Sequence, residues 1–222
     1  MDITYGGKEL AGAVRCFEDS FFVPSFLRNE LRISPDDIFK VISERAPWTN
    51  PASANWKYRG NELARQKFVL VEAEGADPTT VPERVPVYSY PGWQYGSVLD
   101  YRPFQSVPDV HDIVKKLELI RIDGVQVRIN HVIGTKYRDA NDNIGYHHDK
   151  VRDFTRDTSI ILLLSLGETR EMHIGKPDSS DPKKTVFERS FVLGSGDLFV
   201  LGPRTNALHR HAIVPVPLEK ET

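Results

Sequence analysis

The sequence predicts a mainly β protein with flanking helices (α+β), a jelly roll of two packed sheets with helical support on one face. Three observations predict it. Short strand-like runs follow one another from residue 125 onward. Glycine and proline clusters punctuate those runs, and two amphipathic helices precede them. The first helix is expected over about 35 to 46. Pro35 suits the first helical position, Asp36 and Asp37 sit where the helix dipole favours acid, and Ile38, Val41 and Ile42 mark one face. A second helix fits Pro108 to about Ile120, with Val110, Ile113, Val114 and Leu117 at helical spacing. Val127, Ile129, His131 and Ile133 then alternate with Gln126, Arg128, Asn130 and Val132, the period-two pattern of a half-buried strand. The apolar run from Ser159 to Leu166 reads as a fully buried strand, and Thr185 to Leu193, Asp197 to Leu201 and roughly His209 to Val216 complete the set. Gly194, Ser195 and Gly196, and then Gly202 and Pro203, read as turns.

At 222 residues and 40% apolar, the chain can bury one substantial core. One domain over 1–222 is expected, with helical support and a cover region over 1–124 and the β core over 125–216. A net charge of −2 exerts no global pull on nucleic acid, so such a partner would need a local basic patch. The single cysteine, Cys16, excludes an intramolecular disulfide and fits a reducing compartment. No apolar stretch approaches a membrane span, and the N-terminus lacks a signal pattern. The expectation is a soluble intracellular monomer of nucleus or cytoplasm, with no membrane partner.

His147, His148 and Asp149 carry the most chemical information. In an extended segment residues i and i+2 share a side, so His147 and Asp149 converge while His148 points away. A second histidine from a neighbouring strand would complete the two-histidine, one-carboxylate face that holds non-haem Fe(II) and leaves three positions open. His211 is the candidate and His209 its competitor. Taken alone the signal is weak, since a chance His-x-Asp in a chain with seven histidines has about even odds.

Between the helices, residues 50 to 106 are rich in proline, aromatics and cations. Ser53 to Arg59, Leu63 to Lys67 and Tyr88 to Tyr95 interleave Arg and Lys with Trp and Tyr. Cations neutralise phosphate and aromatic faces stack on bases, so Arg65, Lys67, Trp93 and Tyr95 are candidate substrate contacts. A loop-rich cover whose aromatics pack on the barrel explains the same composition about equally well.

The segment from Tyr137 to Asp149 resembles the AlkB-type family of Fe(II)/2-oxoglutarate dioxygenases. Ser165-Leu-Gly-Glu-Thr-Arg170 resembles that family's Ser-x-Gly-x-x-Arg strand and turn. Gly196 to Leu201, followed by His211 and Pro215, is similar to its approach to the distal iron ligand. The match runs over residues 127 to 216 and is looser before them. It implies a double-stranded β-helix with Fe(II) held by His147, Asp149 and His211, and 2-oxoglutarate and O₂ as co-substrates. It also implies that Tyr137 hydrogen-bonds 2-oxoglutarate, and that Arg170 serves either the substrate cavity or a buried ion pair. The activity implied is oxidative demethylation of alkylated DNA or RNA bases, with release of formaldehyde, succinate and CO₂, on a base flipped out of any duplex.

Three positions depart from the family pattern. Thr135 stands where an asparagine is usual, and Val151 where base-repairing members carry an acid, with Asp153 two positions on. An Arg-x-Asn-x-Thr-x-Arg strand, whose arginines grip 2-oxoglutarate, should follow the distal histidine, but the chain ends at Glu219-Lys-Glu-Thr222. The expectation is therefore a domain lacking its last strand. Two alternatives stand beside base demethylation: the same iron chemistry on a protein or small molecule, and a non-catalytic barrel acting as a binding module.

Overall fold

The computed structural model describes residues 2–48, 57–58, 61–62, 65–72, 101–149 and 159–216. Its centre is two four-stranded antiparallel sheets packed face to face. One sheet orders β12 (Ile144–His147), β17 (Arg210–Ile213), β14 (Arg170–Pro177) and β15 (Thr185–Leu193). The other orders β13 (Ile161–Leu164), β16 (Leu198–Leu201), β4 (Ser20–Val23) and β3 (Val14–Phe17). Met172, Ile174 and Ile213 from the first sheet meet Phe199, Leu201, Ile161 and Leu163 from the second in one apolar layer. This is the jelly-roll sandwich that alternating short strands dictate.

Within the second sheet β16 is buried on both faces, and its sequence reflects that. Leu198 and Val200 alternate with Phe199 and Leu201, and all four are at most 2% exposed. The Leu198 side packs on Phe26, Leu27, Ile113, Leu117 and Ile120. That outer layer includes α1 (Pro35–Arg45), α2 (Pro108–Leu117) and a small sheet of β10 (Val125–Gln126), β9 (Ile120–Ile122), β1 (Ile3–Tyr5) and β2 (Lys8–Glu9). A third sheet orders β11 (His131–Lys136), β7 (Gln66–Val71) and β8 (Tyr101–Pro103). Phe68 and Leu70 of β7 bury one face of it against Val107, Val110 and Val114. A separate pair joins β5 (Lys57–Tyr58) to β6 (Asn61–Glu62). Among the described residues, no helix is long and apolar enough to cross a membrane.

Both expected helices form, α1 with the Ser34 hydroxyl accepting from the Asp37 amide and both with proline in the first turn. Several boundaries move. Asp123 and Gly124 take positive φ, +49° and +78°, and make a two-residue hairpin turn between β9 and β10. That hairpin claims Ile120 for the core, so α2 stops at Leu117. The strand expected at 126–133 begins instead at His131. The run at 159–166 forms strand only over Ile161–Leu164 and is half-buried, not fully buried. Helix α3 (Pro203–Leu208) occupies the expected turn after Gly202, and β17 starts after it, at Arg210. The strands before residue 34 and β14 carry no pattern clear enough to have been expected.

Candidate metal centre

β12 and β17 are antiparallel neighbours, and their register sets His147 directly opposite His211. The imidazole centroids are 4.3 Å apart at 52°. Just past the end of β12, Asp149 turns its carboxylate between them. Oδ1 lies 3.6 Å from His147 Nε2, and Oδ2 lies 3.6 Å from His211 Nε2. The three donor atoms fall within 4.8 Å of one another. Two donors bound at right angles to a shared ion sit roughly 3 Å apart, so a small contraction would seat a metal. His148, between the two ligand candidates, is exposed.

The donors are prepared for coordination. His147 Nδ1 lies 2.8 Å from the Gly145 carbonyl oxygen, an acceptor only, so Nδ1 carries the proton and Nε2 presents its lone pair to the cluster. Burial holds both imidazoles below the ordinary histidine range, against the opposing pull of Asp149. Both are therefore neutral at pH 7, as metal ligation requires.

Asp149 is fixed through its backbone. Its amide donates to Asn206 Oδ1 at 3.1 Å, and Asn206 Nδ2 donates to its carbonyl oxygen at 2.9 Å. Asn206 is buried and belongs to α3, whose first turn is held by the buried carboxylate of Asp19. That carboxylate accepts from the amides of Arg204 (2.6 Å) and Thr205 (3.1 Å) and from the Thr205 hydroxyl. Gly202 must be glycine, because a Cβ there would run into the Asp19 carbonyl oxygen. Nothing in the sequence reading singled out Asn206 or Asp19; the proline opening α3 was the one available signal.

Tyr137 follows β11 and packs at the edge of the inter-sheet core. Burial pushes its hydroxyl up to about 12, while the Arg65 and Arg170 charges pull the other way. The Arg170 guanidinium lies over the Tyr137 ring, 5.0 Å from its centroid. It donates to the carbonyl oxygens of Asp139 (3.0 Å), Val214 (3.2 Å) and Asp142. Its described contacts are thus a ring face and carbonyls, which hold the 138–143 turn against β14. Asp142 in turn accepts from the Arg138 amide and guanidinium, at 2.7 and 3.0 Å.

Arg65 and Lys67 are 8% and 7% exposed. Arg65 sits at the bend just before β7, and within β7 Lys67 points to the side opposite Phe68 and Leu70, with the register setting it beside Thr135. Burial, then the Arg65 charge, lowers the Lys67 ammonium to about 8, with Asp149 opposing. Trp93, Tyr95, Val151, Asp153 and residues 217–222 lie outside the described residues. His209 is 8% exposed, more buried than a strand residue at the surface would be. Glu188 Oε2 lies 3.1 Å from its Nε2 and the Thr205 carbonyl 3.2 Å from its Nδ1, so both nitrogens are engaged away from the cluster.

Comparison with known proteins gives the family and the fold. The family model of the 2OG-Fe(II) oxygenase superfamily matches residues 22–221. A solved structure described as that of OsALKBH1 superposes with a TM-score of 0.51 at 16% identity, covering 93% of this chain and 89% of the other, a likeness of fold. No curated protein sequence matches. With a jelly roll, a two-histidine, one-carboxylate cluster at its mouth and a family match over nearly its whole length, the chain belongs to the 2OG-Fe(II) oxygenase superfamily and is an Fe(II)- and 2-oxoglutarate-dependent dioxygenase.

Proposed function

We propose that this dioxygenase oxidatively demethylates alkylated bases of DNA or RNA. The observation that carries the reading is that two segments resembling AlkB-type enzymes meet beside the metal cluster, Arg170 of the Ser-x-Gly-x-x-Arg turn lying over the ring of Tyr137. The fold likeness to OsALKBH1 supports the same direction. When bound, Fe(II) with 2-oxoglutarate and O₂ supplies the oxidation that hydroxylates an N-methyl carbon, and loss of formaldehyde restores the base. His147, Asp149 and His211 would hold the metal, three ligands of a set that leaves coordination positions for co-substrates. Tyr137, protonated at neutral pH, would donate its hydroxyl to a carboxylate oxygen of bound 2-oxoglutarate. Arg170 keeps the ring in place through its stack and its three carbonyl contacts.

The test is substrate-dependent succinate and formaldehyde formation on single- and double-stranded DNA and RNA oligonucleotides bearing N-methylated bases, with His147→Ala as control. Turnover on a methylated oligonucleotide that vanishes in the variant is the expected result. Succinate formation with methylated peptides or small molecules, and none with any oligonucleotide, would replace the nucleic-acid substrate with that class.

A further inference from the structure

We infer that Arg65 is a positioning residue of the metal centre: its guanidinium anchors the turn that leads into β12 and so sets where His147 presents its nitrogen. The inference rests on the reading of His147, Asp149 and His211 as the metal site.

β12 is weakly fixed by its own sheet. Among the described residues it is a four-residue strand at the sheet's edge, paired with β17 alone. Its register shifts between Ile144 and His147, the two residues that face partners on β17. An irregularity of this kind re-aims a side chain and disrupts the ladder around it. The place of His147 therefore depends on how the chain enters the strand, at Asn143. The same entry carries the Gly145 carbonyl, whose contact at 2.8 Å keeps the proton on His147 Nδ1 and the lone pair on Nε2.

Arg65 holds that entry from outside the sheet. It stands at the bend before β7, is 8% exposed, and its Nη1 donates to the Asn143 carbonyl at 3.1 Å. Arg170 holds the same turn from β14, through the carbonyl oxygens of Asp139 and Asp142. The Val216 amide, beyond β17, donates to the Ala140 carbonyl at 2.8 Å. Of these ties on residues 139–143, Arg65 supplies the one nearest His147 in the chain. Both guanidinium groups leave Nε buried without an acceptor among the described residues. Burying such a donor is costly, so the contacts of the terminal nitrogens must outweigh it in the folded protein.

The sign of the effect separates positioning from charge. Arg65 lies near enough to His147 for its charge to add to burial in holding that imidazole below the ordinary histidine range. As a cation it repels a divalent ion, so removing its charge alone would tighten metal binding. Losing the anchor does the reverse, because a displaced Nε2 no longer completes the cluster. Contacts one step behind a ligand typically contribute 10- to 100-fold in metal affinity.

The experiment titrates the protein with Mn(II) alone and reads bound against free ion by EPR, without co-substrate or turnover. Arg65→Met removes donor and charge together and should weaken Mn(II) binding about tenfold, with the circular dichroism spectrum unchanged. Arg65→Lys keeps the charge and a donor that reaches nearly as far, and should recover most of that loss. If Arg65→Met does not fold, Arg65→Gln, two bonds shorter and out of reach of Asn143, carries the same expectation. Unchanged or tighter Mn(II) binding in folded Arg65→Met or Arg65→Gln overturns the inference, as does equal weakening in Arg65→Met and Arg65→Lys. An Mn(II) affinity that His147→Ala leaves unchanged would overturn the metal site itself, and the inference with it.

Discussion

Asn206 holds Asp149 by both backbone groups, accepting from its amide at 3.1 Å and donating to its carbonyl at 2.9 Å. The carboxylate between His147 and His211 is therefore placed by a side chain 57 residues later in the chain. Outer contacts of this kind typically contribute 10- to 100-fold in metal affinity. Asn206→Ala should weaken Mn(II) binding by roughly that factor, measured by EPR titration, with the circular dichroism spectrum unchanged. Asn206→Asp keeps the acceptor and loses the donor, and should fall between the two. Equal affinities in all three proteins would show that Asp149 needs no such clamp.

The contrast between Asp149 and Asn206 shows what the sequence made legible. His147 and Asp149 are two apart on an extended segment, so period two alone puts them on one side. His211 required a neighbouring strand and, to be told from His209, the family resemblance. Asn206 acts through α3, a six-residue helix without amphipathic periodicity, and its importance depends on the tertiary placement of Asp19. The continuous apolar run of β16 and the periodic one of α2 were readable because burial follows the pattern: all four residues of β16 are buried, as is the Val110, Ile113, Val114 and Leu117 face of α2. β14 was not, since Arg170, Glu171, His173 and Lys176 dilute its apolar residues although Met172 and Ile174 are 1% exposed. The β9–β10 hairpin followed from Asp123-Gly124, a local turn signal outweighed by the periodicity on either side.

His209 and His211 separate structure from ligation. His211→Ala removes a donor of the cluster and should lower Mn(II) affinity more than 100-fold with little change in Tm. His209→Ala breaks the Glu188 contact and the packing on Phe17, whose ring centroid lies 4.9 Å away. Loss of such a buried contact costs about 1–3 kcal/mol, a fall in Tm of a few degrees, while metal affinity stays within about twofold. Swapped phenotypes would reassign the distal ligand to His209.

Phe199 tests the sandwich itself. It is fully buried, with its ring edge-on to Phe191 at 4.9 Å, in the layer that joins the two sheets. Phe199→Ala removes that volume from a site closed on both sides, which costs about 3–5 kcal/mol. Thermal unfolding followed by circular dichroism should fall by roughly ten degrees. A drop under about two degrees would mean that the inter-sheet layer repacks freely.

Tyr137 makes a prediction in the alkaline range. Burial raises its hydroxyl to about 12, above the ordinary tyrosine value near 10. Between those values the unfolded chain gives up this proton and the native protein keeps it, so the unfolded state binds fewer protons and native stability falls as pH rises. The slope from one such group is at most about 1.4 kcal/mol per pH unit, and the contribution is fully present below pH 10. Tyr137→Phe removes it: urea unfolding should show a shallower loss of stability between pH 10 and 11.5 in the variant. The same difference should appear as a late-titrating tyrosinate absorbance in the native protein that the variant lacks. Because the hydroxyl stays protonated well past neutrality, it is able to donate to a carboxylate oxygen across that range, as the proposed co-substrate role requires. Affinity of the Mn(II)-loaded protein for 2-oxoglutarate should thus drop about tenfold in Tyr137→Phe, the cost of one hydrogen bond to a charged acceptor, and by the same factor at pH 7 and pH 9. A penalty that disappears by pH 9 would show that the hydroxyl has ionised early and that burial does not protect it.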